Sequence, residues 1–141
     1  MTDQRPRVLF VCVKNSGKSQ MAAGLAHLRG AGAVEVHSAG TKPGGTINEL
    51  SAASLAELGV DITGEKPRPI TDDAVRSADL VVTLGRDAQV EQVTGTRFEN
   101  WDTDEPSERG IEGMERMRLV RDDIDRRVLE LLGRLRSRPL T

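Results

Sequence analysis

Val8-Leu9-Phe10-Val11-Cys12-Val13-Lys14-Asn15-Ser16-Gly17-Lys18-Ser19-Gln20 decides how this chain is read. The stretch opens on an apolar, β-branched run, the pattern of a buried strand. It leads into Gln20-Met21-Ala22-Ala23-Gly24-Leu25-Ala26-His27-Leu28, rich in the good helix formers Ala and Leu. A loop that feeds a helix N-terminus offers unpaired backbone N–H groups and the positive end of the helix dipole, which together favour an anion. A thiol, Cys12, stands at its entrance.

Two chemistries compete for the loop. In a nucleotide phosphate loop, Gly-x4-Gly-Lys-Ser/Thr, the end Gly17-Lys18-Ser19 fits, but Cys12 occupies the place of the first Gly. In a Cys-x5-cation-Ser loop the thiolate is a nucleophile and the amides of Val13 through Lys18 cradle an oxyanion. The second suits the residues better. Helix N-termini and neighbouring cations favour the thiolate, and Cys12 has the loop amides, the helix and Lys18 beside it. The Ser19 hydroxyl is placed to donate to the sulfur. Asn15 tolerates left-handed backbone and ties a loop to itself, and Gly17 lets the chain pass close to an anion. A nucleotide hydrolase also needs a strand ending in Asp for Mg²⁺. Here the best apolar strand begins at Asp79 and ends at Gly85.

The segment Cys12-Val-Lys-Asn-Ser-Gly-Lys-Ser-Gln-Met-Ala resembles the Cys-x2-Asn-x2-Arg-Ser-Gln-Met-Ala signature of arsenate reductases built on the low-molecular-weight protein tyrosine phosphatase fold. Val36-His37-Ser38-Ala39-Gly40-Thr41 and Asp79-Leu80-Val81-Val82-Thr83-Leu84 resemble that family's second and third strands. Trp101-Asp102-Thr103-Asp104-Glu105-Pro106 resembles its acidic segment, where a carboxylate before Pro is the general acid. The resemblance spans most of the chain. It implies Cys12 as nucleophile, Lys18 and Ser19 as its partners, and Val13, Lys14, Asn15, Ser16, Gly17 and Lys18 as the oxyanion seat. Glu105 takes the acid's position, and Asp104, one residue earlier, is the alternative.

Two departures from the family pattern carry meaning. Lys18 stands where the family has Arg, and a lysine cannot make the bidentate fork that suits a tetrahedral oxyanion. Such a lysine resembles the branch that uses the small thiol mycothiol. Moreover, Cys12 is the only cysteine. Thioredoxin-coupled members carry a resolving pair after the third strand, where this chain reads Leu84-Gly85-Arg86-Asp87-Ala88. The resemblance therefore implies no bound cofactor, mycothiol as external thiol co-substrate, and a glutaredoxin-like redoxin as partner. Ser107 and Gly110 are short polar residues suited to an open rim.

The bounds agree with this reading. The 141 residues are expected to form one domain, 1–141, with a full core. Net charge is −2, which supports no nucleic-acid partner. No apolar run approaches the roughly 20 residues that span a membrane, and the polar start Met1–Pro6 lacks a signal core. The expectation is a cytoplasmic protein whose lone thiol stays reduced. With two His and one Cys, no metal set has plausible spacing, so His27 and His37 read as structural.

Strands are expected at Val8–Val11, Val34–Ser38 and Leu80–Leu84, with a weaker edge strand at Arg97–Trp101. Helices follow the first strand to Arg29, cover Asn48–Leu58, and run briefly from a Thr71 cap to Arg76. Met114, Met117, Val120, Ile124, Val128, Leu131 and Leu135 make the apolar stripe of a last long helix. Arg118, Arg121, Asp122, Arg126 and Arg127 read as its solvated face. Alternating β and α segments predict a three-layer α/β fold, with a four-stranded parallel sheet flanked by helices and ligands bound at the carboxyl ends of its strands.

The substrate follows from the walls. A phosphotyrosine phosphatase, the nearest alternative, needs an apolar wall for the ring. This chain has no Tyr, two Phe and one Trp. Trp101 and Leu84 are the candidates for such a wall, and Lys66 and Arg68 for the rim. Ser38 and Thr41 are placed to support the loop by hydrogen bonding. Arsenate or a phosphate-like oxyanion is the expected ligand. A non-catalytic anion-binding module keeps the same loop without turnover.

Overall fold

The computed structural model describes residues 5–137. Strand β1 (Arg7–Cys12) is flanked by β2 (Glu35–Gly40) and β3 (Leu80–Leu84), with β4 (Arg97–Trp101) outside β3. The order is β2-β1-β3-β4 and every pair is parallel. Parallel sheets are covered on both faces, and β1 alternates accordingly. Val8, Phe10 and Cys12 join one core with helices α1 (Lys18–Gly30), α2 (Glu49–Ala56) and α4 (Gly113–Ser137). Leu9 and Val11 join a smaller core under the short helix α3 (Asp72–Ser77) and the connection before β4. The sheet turns in opposite directions on either side of β1, so the carboxyl end of β1 is the switch point where such folds bind ligands.

Local chemistry sets the element ends. Asn48 and Thr71 cap α2 and α3, accepting from the N–H groups of Ser51 and Ala74. Strand β2 runs two residues past its expected end, because Gly40 pairs with Cys12. Helix α2 stops two residues early, in a turn before Gly59. The helix-forming run of α1 is buried almost all round, Ser19 to Ala26 without a break. Gly24 within it lies so close to α2 and the following loop that a Cβ would meet Leu55, Val60 and Ile62 at 3.0–3.2 Å. A 3₁₀ turn at Pro106–Arg109 carried no helical pattern in the sequence.

The stripe of α4 is buried as its period predicts, with Met114 partly so. Its charged face is not uniformly solvated. Arg121 is 8% exposed and Asp123 6% exposed. Arg121 lies over α2, donating to the Ser54 carbonyl (3.0 Å) and to Glu57 (2.7 Å). Buried guanidinium and carboxylate groups survive only when paired, and both are. Arg118 and Arg121 together hold the Glu57 carboxyl down to about 2 from an ordinary 4.5. A depressed carboxyl stabilises the fold above its unfolded value and loses that contribution as pH falls through its folded one. Glu57→Gln is therefore expected to lower Tm at neutral pH, with the gap from wild type closing as pH falls from about 4.5 to about 2. A gap unchanged across that range in thermal melts would assign the loss to packing instead.

Candidate active site

The loop 13–17 between β1 and α1 is irregular and shaped from outside. The segment after β2 runs alongside it and takes its carbonyls. Thr41 N–H donates to the Cys12 carbonyl (3.1 Å), Lys42 to Val13 (2.8 Å), Gly44 to Lys14 (2.9 Å) and Asn48 to Ser16 (2.8 Å). Among the described residues, nothing accepts from the N–H groups of Val13, Lys14, Ser16 or Gly17. Gly17 begins α1 with no side-chain cap. The loop thus turns its donors away from the strap, beside the helix N-terminus, the arrangement that binds a tetrahedral anion. Gly40 makes the close fit possible. A Cβ there would sit 2.7 Å from the Val13 carbonyl oxygen and 2.9–3.0 Å from Asn15.

Cys12, 8% exposed, is held at this loop. Its Sγ lies 2.9 Å from Ser19 Oγ and accepts the Asn15 N–H at 3.2 Å. Asn15 is fully buried with φ of 53°, the left-handed region that Asn tolerates. Its Oδ1 accepts from the Arg68 N–H (2.9 Å) and from Gln20 Nε2 (3.1 Å), so its Nδ2 is the group facing Ser19 Oγ at 2.7 Å. Nδ2 is a donor only. Ser19 Oγ must accept it, which leaves the hydroxyl proton for Sγ. The network fixes the direction of the Ser19–Cys12 hydrogen bond, with the sulfur as its acceptor.

The acidic segment converges on the same edge. Lys18 forms an ion pair with Glu105, both side chains about a quarter exposed. Asp104 faces elsewhere. Arg109 holds it bidentately at 2.8 and 3.1 Å and depresses its carboxyl. Helix α4 fixes the segment from behind. Asp123 accepts the Asp104 N–H at 2.9 Å, and Arg127, paired with Asp123, donates to the Asp102 carbonyl at 2.9 Å.

The structure also places the remaining candidate residues. Trp101 and Leu84 do not wall the mouth. They are 4% and 2% exposed, and Trp101 packs in the core 5.7 Å from Phe10, ring centre to ring centre. Thr41 supports the loop through its backbone rather than its hydroxyl, and Ser38 lies within β2 opposite Phe10. Arg68 contributes its backbone N–H to Asn15, while its side chain pairs with Glu65 at 3.7 Å. His27 and His37 are exposed, and His37 lies beside Glu35 at 3.3 Å. Ser107 and Gly110 are exposed at the 3₁₀ turn. Among the described residues no helix is long and apolar enough to cross a membrane. Gly40, Gln20, Asp123 and Arg127 escaped sequence reasoning as site-shaping residues. The signals were Gln20 in the loop signature and Gly40 in the Val36–Thr41 segment.

Comparison with known proteins meets this geometry. Residues 7–139 match the family described as low molecular weight phosphotyrosine protein phosphatase. The chain is 33% identical over 132 residues to the glutaredoxin arsenate reductase of Synechocystis sp., covering 92% of this chain and 98% of that protein. Among solved structures, the thioredoxin-dependent arsenate reductase of Corynebacterium glutamicum superposes with a TM-score of 0.82 at 33% identity. That match covers 97% of this chain and 65% of the other. An arsenate reductase in its phosphate-binding state superposes at 0.79 with 32% identity, covering 92% of this chain and 98% of the other.

Proposed function

The chain belongs to the low molecular weight phosphotyrosine protein phosphatase family, and from that premise we propose that it is an arsenate reductase reduced by a thiol supplied from outside the chain. The observation that carries the reading is one buried cysteine, alone in the sequence, at the start of a loop whose Val13, Lys14, Ser16 and Gly17 amides have no acceptor among the described residues. Its likeness to named arsenate reductases over nearly the whole chain supports the choice of oxyanion.

The chemistry runs as follows. The Cys12 thiolate attacks arsenic. An As–S bond forms and an As–O bond breaks; Glu105, which takes up a proton from solvent once the incoming oxyanion draws Lys18 away from it, passes that proton to the oxygen, which leaves as water. Loop amides and Lys18 hold the remaining oxygens. Because no second cysteine exists, an external thiol displaces Cys12 at arsenic and carries the arsenate away as a conjugate. A second thiol, on a redoxin, attacks the sulfur of that conjugate. A disulfide forms, each thiol loses one electron, and arsenic gains two and leaves as arsenite. Mycothiol is the finer assignment, since the Lys18-bearing loop resembles the branch that uses it. Cytoplasmic residence accords with a reaction that consumes reduced thiols.

The choice of acid has a direct test. Glu105 touches Lys18, whereas Asp104 is occupied by Arg109. Glu105→Gln is expected to lower kcat by about 10²-fold or more, the range for loss of a general acid. Asp104→Asn should stay within about threefold of wild type, since the Asp104–Arg109 pair is partly exposed. The reverse ranking in steady-state kinetics would assign the acid to Asp104.

The function itself is tested by arsenite production. Purified protein should give no turnover with thioredoxin and its reductase as the only thiol source. Mycothiol with a glutaredoxin-like redoxin should restore it. Sustained turnover on thioredoxin alone would remove the thiol-transfer reading. Brisk hydrolysis of aryl phosphates without arsenite would replace it with a phosphatase.

A further inference from the structure

The chain has four lysines against sixteen arginines, and all four lysines surround one loop. Lys14 lies within it and Lys18 closes it. Lys42 donates its N–H to the Val13 carbonyl. Lys66 accepts at its carbonyl from Gln20, which also binds Asn15. The nearby arginines are committed to carboxylates: Arg68 to Glu65, Arg86 to Asp102, Arg109 to Asp104. Lys18 is committed to Glu105. The ammonium groups of Lys14, Lys42 and Lys66 are exposed and have no carboxylate partner among the described residues.

We infer that Lys14 and Lys42 form an electrostatic collar that captures the inorganic oxyanion and delivers it to the seat beneath. The inference rests on the oxyanion-site reading above and goes beyond it, assigning a role to two side chains that need not touch the bound anion. Three features carry it. Both lysines are fixed by backbone hydrogen bonds where the loop meets the segment after β2, Lys14 of the loop accepting at its carbonyl from the Gly44 N–H and Lys42 donating its N–H to the Val13 carbonyl. Both are unpaired where every neighbouring arginine is paired. The protein as a whole is negative, at −2, and repels anions elsewhere. Lys66 differs from them. It lines a groove with Glu49 and Glu65, which offset its charge, so it supplies an internal control.

A cationic rim raises the local concentration of an anion and speeds its capture, and salt weakens the effect. For two charges about 10 Å from a dianion near the surface, removal should weaken binding about fourfold at an ionic strength of about 0.05 M. At about 0.5 M the change should be under about 1.5-fold.

The test reads anion affinity directly. Cys12 is alkylated with neutral iodoacetamide, and the dissociation constant of sulfate is taken from protection at both ionic strengths. Lys14→Gln/Lys42→Gln should show the fourfold loss at low salt and converge on wild type at high salt. Lys14→Arg/Lys42→Arg should match wild type at both, and Lys66→Gln should stay within twofold. An unchanged sulfate constant in the double Gln variant at low salt overturns the collar. An equal loss at both ionic strengths also overturns it, by assigning the effect to a damaged loop. Absence of sulfate protection in wild type instead removes the oxyanion seat itself and the collar with it.

Discussion

Cys12→Ser is expected to end arsenate reduction, with turnover down at least about 10⁴-fold, the scale on which loss of a nucleophile acts. A hydroxyl is nearly isosteric with the thiol but is not ionised under the same conditions. It forms no As–S bond for an external thiol to displace. The fold should survive, because the replacement retains an acceptor for the Asn15 N–H and a partner for Ser19. Sulfate and phosphate should still bind, because the seat is made of backbone amides that the substitution leaves in place. Arsenite production and anion-induced thermal stabilisation, measured together, check both halves. Residual turnover above about a tenth of wild type would exclude Cys12 as the nucleophile. A total loss of anion binding would show that the sulfur builds the seat as well as reacting.

The second large effect lies one layer deeper. Asn15→Ala removes an amide that holds Ser19, Gln20 and the Arg68 N–H at a fully buried position. Each buried group left without its partner costs about 1–3 kcal/mol. Ala also pays roughly 1 kcal/mol or more for the left-handed backbone. A loss of about 3–5 kcal/mol in denaturant unfolding is expected. Asn15→Asp separates stability from chemistry. A carboxylate there accepts the Ser19 proton instead of donating to the hydroxyl, turning that proton away from Cys12. Turnover should fall about 10²–10³-fold, the range for a lost charge-stabilising donor. Cys12 alkylation should slow in parallel. If Asn15→Asp alkylates at the wild-type rate, the orientation of Ser19 does not govern the thiolate.

Much of this site was legible in the sequence, for a physical reason. The strand, the loop and the start of α1 are contiguous, so their chemistry rests on local geometry. Cys12, Asn15, Gly17 and Ser19 each have a short-range role that their residue types announce. What stayed hidden depends on segments brought together by folding. Nothing near Gly40 reveals that it packs against Asn15, 25 residues earlier in the chain. Asp123 falls off the α4 stripe by period yet is buried against the acidic segment, and Arg121, four residues after Met117 and three before Ile124, sits on the stripe itself with its guanidinium taken up by α2. Nor did the sequence announce that Arg109 would pair with Asp104 and leave Glu105 to Lys18. Trp101 was misplaced because strand position alone does not say which end of a side chain meets solvent.

The strap from Thr41 to Asn48 grips the loop by main-chain atoms alone. A consequence follows for how such a protein diverges. The seat is specified by backbone geometry, while the exposed side chains at positions 14 and 42 are free of any structural duty. Descendants can therefore recode the mouth, exchanging lysine for neutral or acidic residues, without disturbing the machinery that holds the anion. Substrate appetite and chemical competence are separately heritable traits on this scaffold, and the first can drift while the second stands still.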